Sequence, residues 1–245
     1  MKSPIKTYRQ MRLFGNLLNI FFPSKCPICG NRSDSYLHNP ICASCWKEIK
    51  RYSGPACKIC GMPTVSAHTA TCELCLKEGP PFSKVLYYGI YEGTLKEAIH
   101  LLKFNGVKSL SKPLGLMLSE LQIPNADGIV PVPLNHKNLK QREFNQTASI
   151  SRHLSKELKI PLMLNVLKKT KDTLPQTDVT GKERLKNVKN AFKVSSMVEG
   201  LNLLLVDDVI TTGATIRECA KVLMNAGAES VNVVALARSM PRQNT

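Results

Sequence analysis

The apolar positions of residues 84–237 change along the chain between short continuous runs and a helical spacing. The short runs predict strands at 84–91, 128–132, 201–206 and 231–237. Between them, apolar residues three or four positions apart predict helices over 95–103, 110–121, 144–158 and 215–225. Strands that alternate with helices predict an α/β fold in which a parallel sheet is flanked by helices.

The N-terminal segment has a different pattern. Residues 5–22 carry apolar side chains at helical spacing, and Pro23 ends the run. We expect a helix that packs on its own domain; because the segment is basic, contact with a membrane or with DNA is the alternative. The chain has no apolar run of about 18 residues, so no transmembrane segment is predicted. Without a recognisable signal peptide, the expected location is the cytoplasm.

Nine cysteines occur in the chain, and eight of them form four C-x-x-C pairs. The pairs are Cys26 with Cys29, Cys42 with Cys45, Cys57 with Cys60, and Cys72 with Cys75. Each pair places two thiolates on one tight turn, and two such turns complete the tetrahedron that zinc prefers. The sequence therefore predicts a small zinc-binding domain over 1–80 with two zinc ions. The zinc is structural, because four cysteine ligands leave no open position for water.

Disulfides are the alternative to zinc, but a protein expected in the reducing cytoplasm does not favour them. A redox C-x-x-C motif does not come in four evenly placed copies. Spacing leaves open whether the pairs bind zinc in order or interleave, and His38 or His68 could replace a cysteine ligand. Cys219 stands alone in a predicted helix, where we interpret it as a small buried apolar side chain.

One strand–turn–helix junction carries a phosphate-binding pattern. The apolar run 201–206 is followed by Asp207 and Asp208, by a Thr- and Gly-rich turn, and then by a predicted helix. Backbone N–H groups and hydroxyls at a helix N-terminus bind phosphate. Asp207 and Asp208, the candidate catalytic residues, are expected to bind vicinal sugar hydroxyls or Mg²⁺ through water. The predicted phosphate-binding residues are Thr211, Thr212, Gly213, Ala214 and Thr215.

The chain is strongly basic, with 34 Lys and Arg residues against 18 Asp and Glu residues. Residues 134–193 contain 14 of the basic residues and 5 of the acidic ones. This excess predicts an anionic partner, either nucleic acid or a phosphorylated small molecule, with a solvated loop region as the alternative. Aromatic residues make up only 6% of the chain, so stacking platforms for bases are scarce.

The segment LLLVDDVITTGAT at 203–215 resembles the motif with which type I phosphoribosyltransferases bind 5-phosphoribosyl-1-pyrophosphate (PRPP). Further segments resemble one branch, the ComF family, which includes competence proteins of DNA uptake. They are Lys103-Phe-Asn-Gly106, Val130-Pro-Val-Pro133, Arg142-Glu-Phe-Asn-Gln146, and the later residues Gln176, Arg184, Asn187 and Phe192. Zinc knuckles before such a domain are typical of that family, and the resemblance runs from about residue 21 to residue 238.

The resemblance implies a phosphoribosyltransferase-like domain over 81–245 that binds PRPP with Mg²⁺, with Lys103, Val132 and Arg142 on the pyrophosphate side. It also implies handling of transforming single-stranded DNA, with a DNA-uptake helicase or other competence proteins as partners. Glu143 stands where the family usually has glycine. If the family glycine has positive φ, Glu143 is strained by about 1–2 kcal/mol; if the glycine serves close approach of pyrophosphate, the carboxylate repels it. Two functions stay open: PRPP binding in DNA uptake, or transfer of the phosphoribosyl group to an unidentified acceptor with release of pyrophosphate.

Overall fold

A computed structural model describes residues 25–33, 40–66, 70–134, 144–170 and 188–240. The helices of these ranges are α1 (Ala43–Glu48), α2 (Glu73–Glu78), α3 (Gly93–Phe104), α4 (Ser111–Ser119), α5 (Gln146–Leu158) and α6 (Ala214–Asn225). The strands are β1 (Lys84–Ile90), β2 (Gly128–Pro131), β3 (Leu167–Lys169), β4 (Phe192–Val194), β5 (Asn202–Ile210) and β6 (Ser230–Arg238). None of the helices in the described ranges combines the length and apolar character needed to cross a bilayer.

Four of the strands form one parallel sheet in the order β1, β6, β5, β2. The predicted parallel sheet is confirmed, and each of its strands lies on one of the predicted apolar runs. The predicted end of β5 is wrong, because the strand continues past Val206 to Ile210, which lies opposite Arg238 of β6. Pairing with β6 extends the strand through Asp207 and Asp208, so both acids belong to β5 rather than to the following turn.

The sheet has a hydrophobic core on each face. On one face, Leu204 and Val206 of β5 pack with apolar residues of α3, α4 and α5. On the other, Leu203 and Leu205 pack with α6 and with Leu167 and Phe192 of the antiparallel pair β3–β4. Helices on both faces explain why β5 begins as a continuous apolar run instead of an alternating one.

Four short elements were not expected from the sequence. β3 and β4 have three residues each, and their exposed residues Lys168 and Lys193 interrupt any apolar run. α1 and α2 have six residues each and lie within the cysteine-rich region, where metal-ligand spacing rather than helical periodicity dominates the pattern. Elements this short are stabilised by their tertiary contacts, and local sequence does not predict those contacts.

The cysteine-rich segment packs on both faces of the sheet. Its first half joins the core beside α3, and its second half joins the core beside α6. Between them, the chain follows the outer edge of β1: Tyr52 N–H donates to Tyr88 O at 2.7 Å, and Val85 N–H donates to Ile59 O at 2.7 Å. The segment thereby covers an edge strand that would otherwise expose unpaired backbone groups. The domain boundary near residue 80 stays a prediction.

Candidate functional site

The eight paired cysteines form two separate clusters. The first cysteine centre consists of Cys26, Cys29, Cys42 and Cys45, and the second of Cys57, Cys60, Cys72 and Cys75; within each, the sulfur atoms all lie within 4.8 Å of one another. Four thiol ligands at this separation fit a tetrahedral zinc ion. Successive pairs therefore share a centre, which the spacing alone left open. His38 and His68 lie outside the described residues.

Local backbone structure aims each pair at its centre. In the second centre, the first pair lies on a turn closed by Gly61, which has φ +67° and donates its N–H to Cys57 O at 2.9 Å. The second pair begins at Cys72, which precedes α2, and continues at Cys75 one turn later. Burial disfavours the Cys57 thiolate, but backbone hydrogen bonds from Cys72 and Cys60 outweigh it and lower the pKa of Cys57 to about 6. A stabilised thiolate is the form that binds zinc.

The 211–215 turn joins β5 to α6. Gly213 has φ +81° and lies immediately before the first residue of α6. A Cβ at this position would meet only Ile216 at 3.9 Å, so the backbone angle rather than lack of space favours glycine. Thr212 Oγ1 accepts a hydrogen bond from Ala214 N–H at 3.4 Å. The first turn of a helix leaves N–H groups without intrahelical acceptors, which suits the predicted phosphate contact.

Asp208 is held by two side chains from the face that carries α3 and α5. Lys103 Nζ lies 2.7 Å from Asp208 Oδ1, and Gln146 Nε2 donates to Asp208 Oδ2 at 2.7 Å. Both carboxylate oxygens are therefore engaged, and the side chains of Lys103 and Asp208 are only 15% and 7% exposed. Lys103 therefore forms an ion pair in addition to any interaction with the dipole of α3. Asn145 is the N-cap of α5, where its Oδ1 accepts the N–H of Ala148 at 3.0 Å.

Asp207 has different surroundings. Its Oδ1 accepts a hydrogen bond from the N–H of Asp208 at 2.8 Å. Burial and the adjacent charge of Asp208 raise the pKa of Asp207 to about 7, although the charges of Lys103 and Lys169 lower it. The two neighbouring acids of β5 therefore differ: Asp208 forms an ion pair, whereas Asp207 can gain or lose a proton near neutral pH.

The remaining predicted residues divide into two groups. Val132 is buried, and its N–H donates to Val206 O at 2.9 Å, so this N–H is not available to a phosphate oxygen. Phe192 packs in the core as part of β4. The other predicted residues lie outside the described ranges: Arg142, Glu143, Gln176, Arg184 and Asn187.

Two features near the turn were not predicted as parts of the site. The charge of Lys169, in β3, lowers the pKa of Asp207. A lysine in a three-residue strand has no sequence pattern that would identify it as part of the site. A cavity of about 240 Å³ lies between the second cysteine centre and the turn, where Met62 and Phe82 meet Gly213, Arg217 and Arg238. These residues are far apart in the chain, so no sequence motif could have predicted that they line one cavity.

Comparison with known proteins agrees with both halves of this arrangement. Residues 17–76 match the family model of the double zinc ribbon domain, and residues 147–244 match that of the phosphoribosyl transferase domain. Competence protein F of Haemophilus influenzae is 34% identical over 236 residues, which cover 89% of this chain and 99% of that protein. DNA utilization protein YhgH of Escherichia coli is 32% identical over 213 residues, covering 83% of this chain and 92% of that protein.

Competence protein ComFC of Bacillus subtilis is 28% identical over 209 residues, covering 81% of this chain and 84% of that protein. The fold and the cysteine centres define a phosphoribosyltransferase-like protein with a double zinc ribbon. The relatives identify the branch: the chain belongs to the ComF family. Among solved structures, glutamine PRPP amidotransferase from B. subtilis matches 53% of this chain and 26% of that chain at 27% identity, with a TM-score of 0.39, too low for a functional comparison.

Removal of one ligand tests the cysteine centres. We expect two zinc ions per chain in protein prepared without chelator, and one in the variant Cys42→Ser, because three thiols and a hydroxyl bind zinc poorly. The control Cys219→Ala removes a buried cysteine that belongs to neither centre and should keep both ions. Elemental analysis measures the ratio, and circular dichroism reports partial unfolding. Fewer than one zinc per wild-type chain would contradict the assignment.

The raised pKa of Asp207 predicts a pH-dependent stability. The folded protein keeps this proton up to a pH of about 7, whereas an unfolded Asp releases it near a pH of about 4. The stability associated with the protonated form is therefore lost as pH rises from about 4 to about 7. Relative to Asp207→Asn, the free energy of unfolding of the wild type should fall over that interval and then level off.

Urea titrations of both proteins at a series of pH values check this prediction. The difference between the unfolding free energies of the two proteins cancels the changes that both undergo, such as protonation of the zinc ligands at low pH. Curves that stay parallel throughout would mean that Asp207 titrates as an ordinary exposed carboxyl.

Proposed function

We propose that this protein binds PRPP with Mg²⁺ between the 211–215 turn and Lys103, and acts in the uptake or use of DNA by handling single-stranded DNA in the cytoplasm. The observation that carries the proposal is the junction of β5 and α6. There, two acids lie at the carboxyl end of a central parallel strand, directly before a helix N-terminus. Ligands of open parallel sheets bind at that end of the strands.

The described side chains allow a division of roles. The 5′-phosphate of PRPP lies against the 211–215 turn, where N–H groups and the hydroxyls of Thr211, Thr212 and Thr215 donate hydrogen bonds. Asp207 and Asp208 lie at the ribose hydroxyls, where Mg²⁺, when bound, would neutralise charge between these acids and pyrophosphate. Lys103, which is paired with Asp208, contacts the pyrophosphate side directly. The family resemblance also assigns to that side Arg142, which lies outside the described ranges, and Val132, whose N–H is bonded to Val206 O.

Lys103 has a second consequence for binding. In the described state its ammonium group is paired with Asp208 at 2.7 Å. Pyrophosphate offers the same ammonium group a more highly charged partner, so ligand binding shares or releases this ion pair. Asp208 Oδ1 then becomes free for a sugar hydroxyl or for Mg²⁺. The hydrogen bond from Gln146 to Asp208 Oδ2 keeps the carboxylate of Asp208 in its orientation.

DNA enters the proposal through the relatives and the charge. All three relatives named above carry names that refer to competence or DNA utilization. On the β3–β4 pair, Lys168 lies directly opposite Lys193, and both are exposed. Like charges at opposed positions of a sheet are unfavourable unless an anion compensates them, and a nucleic acid backbone would do so. Competence proteins, including a DNA-uptake helicase, are the proposed protein partners.

An enzymatic function is the second candidate. The pKa of Asp207, near 7, suits a group that transfers a proton at neutral pH. In that case an unidentified acceptor attacks C1 of PRPP, the bond to pyrophosphate breaks, and pyrophosphate leaves. Pyrophosphate release from PRPP and Mg²⁺, assayed with nucleobases or DNA and lost in Asp207→Asn, would support the enzyme; release no greater than without protein would favour binding alone.

The acids provide the test of PRPP binding. Asp207→Asn combined with Asp208→Asn keeps side-chain size and removes both charges. Affinity for PRPP with Mg²⁺ should fall tenfold or more, which corresponds to about 1.4 kcal/mol in calorimetry. The control Glu229→Gln removes an exposed carboxylate just before β6, at the amino ends of the strands and therefore away from the site, and should leave the affinity unchanged. Equal affinity in the double Asp variant would make the acids structural.

The lysine pair provides the test of DNA binding. Lys168→Gln with Lys193→Gln should weaken binding to single-stranded DNA and lower the log–log salt slope by about 1.4, at about 0.7 for each phosphate contact. The matched control Lys84→Gln with Lys221→Gln removes two exposed charges elsewhere. Fluorescence anisotropy over a range of salt concentrations measures the slope, and base sequence should matter little. Equal slopes in the two double variants would place the DNA contact elsewhere.

A further inference from the structure

The two cysteine centres differ in their access to water. In the first, Cys29 is exposed. In the second, Cys57, Cys60 and Cys75 are at most 5% exposed, and Cys72 is partly buried. Zinc bound by four thiolates carries a net charge of minus two, and a buried charge is costly unless cations or hydrogen-bond donors compensate it. Water can compensate the first centre through the exposed Cys29, whereas the second, whose most accessible ligand is the partly buried Cys72, relies more on protein groups.

Arg238 is a buried cation beside the second centre. It is the last residue of β6 and is only 1% exposed. Its Nη2 lies 3.9 Å from Met62 Sδ, and Met62 O accepts the N–H of Cys57 at 2.8 Å. Within the described part of the chain, neither Nε nor Nη1 of Arg238 has a hydrogen-bond partner. Burial raises the pKa of Cys60, and the charge of Arg238 is among the influences that lower it.

Arg217 approaches the same centre from α6. Its Nη2 lies 4.0 Å from Cys75 Sγ, and its guanidinium lies over the ring of Phe82 at 5.8 Å from the ring centroid. Glu78 is 3.7 Å from Nη1, but its side chain is 56% exposed, so this ion pair is weak. Both arginines come from the sheet and helix of the phosphoribosyltransferase-like region, although the thiols that they approach belong to the zinc ribbon.

We propose that Arg238 and Arg217 are the counter-charges of the second zinc centre, and that through them this centre supports the 211–215 turn. Arg238 lies opposite Ile210, the residue before the turn, and the N–H of the following Ser239 donates to Ile210 O at 2.9 Å. The N–H of Arg217 donates to Gly213 O at 3.0 Å. The side chain of each arginine therefore approaches the second centre, while the backbone at or next to it is hydrogen-bonded to Ile210 or Gly213. The inference does not depend on which ligand the turn binds.

Zinc release to a chromogenic chelator tests the inference, with Arg238→Met and Arg217→Gln as the variants. Arg238→Lys keeps the charge, and Arg152→Met removes an exposed arginine of α5 as the control. Alkylation of the cysteines during release, followed by peptide mass spectrometry, identifies the centre that opens. We expect Arg238→Met to release one of its two zinc ions at least tenfold faster than the wild type, Arg217→Gln to show a smaller acceleration, and Arg238→Lys and Arg152→Met to remain close to the wild type.

The centre that opens in both variants must be the second, with Cys57, Cys60, Cys72 and Cys75 alkylated before the other four ligands. Wild-type release in both Arg238→Met and Arg217→Gln would overturn the inference. Equal acceleration at both centres would overturn it as well, because that pattern reports general destabilisation. If Arg238→Met does not fold, Arg217→Gln decides by the same two criteria, since the side chain of Arg217 is partly exposed and its replacement disturbs the core less.

Discussion

The pairing of β5 with β6 as far as Ile210 is the constraint on which the candidate site depends. Because the strand continues past its apolar run, Asp207 and Asp208 are held in extended backbone and have different neighbours. Asp208 contacts Lys103 and Gln146. Burial and the adjacent charge of Asp208 raise the pKa of Asp207, while Lys103 and, from the other face, Lys169 lower it. The chain then turns through Gly213 into α6, which places a helix N-terminus a few residues beyond the acids.

The zinc ribbons are part of this arrangement. A cysteine-rich segment this small supplies few apolar side chains, and its folding energy comes largely from metal binding. Its thiols nevertheless join the two cores of the sheet, and the chain between the centres covers the edge of β1. The second centre lies beside the cavity that reaches Gly213, so cysteines far from the turn in sequence line the same space as the turn.

Local patterns were sufficient for much of the architecture. The four strands of the sheet and the helices from α3 to α6 follow apolar periodicity, because each must bury one face or both against its neighbours. The cysteine pairs are equally local, since each pair occupies a single turn or the first turn of a short helix. The phosphate-binding pattern at 207–215 is contiguous in the chain, which is why composition, order and resemblance pointed to the same residues.

Tertiary structure alone decided which cysteine pairs share a centre, how far β5 extends, and that Asp208 is paired with Lys103. It also decided that Lys169 approaches Asp207 and that Arg238 lies buried beside the second centre. The sequence by itself determined the class of fold, the cysteine ligands of the two centres and the position of the turn that follows β5. The difference has a physical reason: periodicity and motif spacing act over one or two turns of chain, whereas charge pairing and strand register depend on distant residues that only folding brings together.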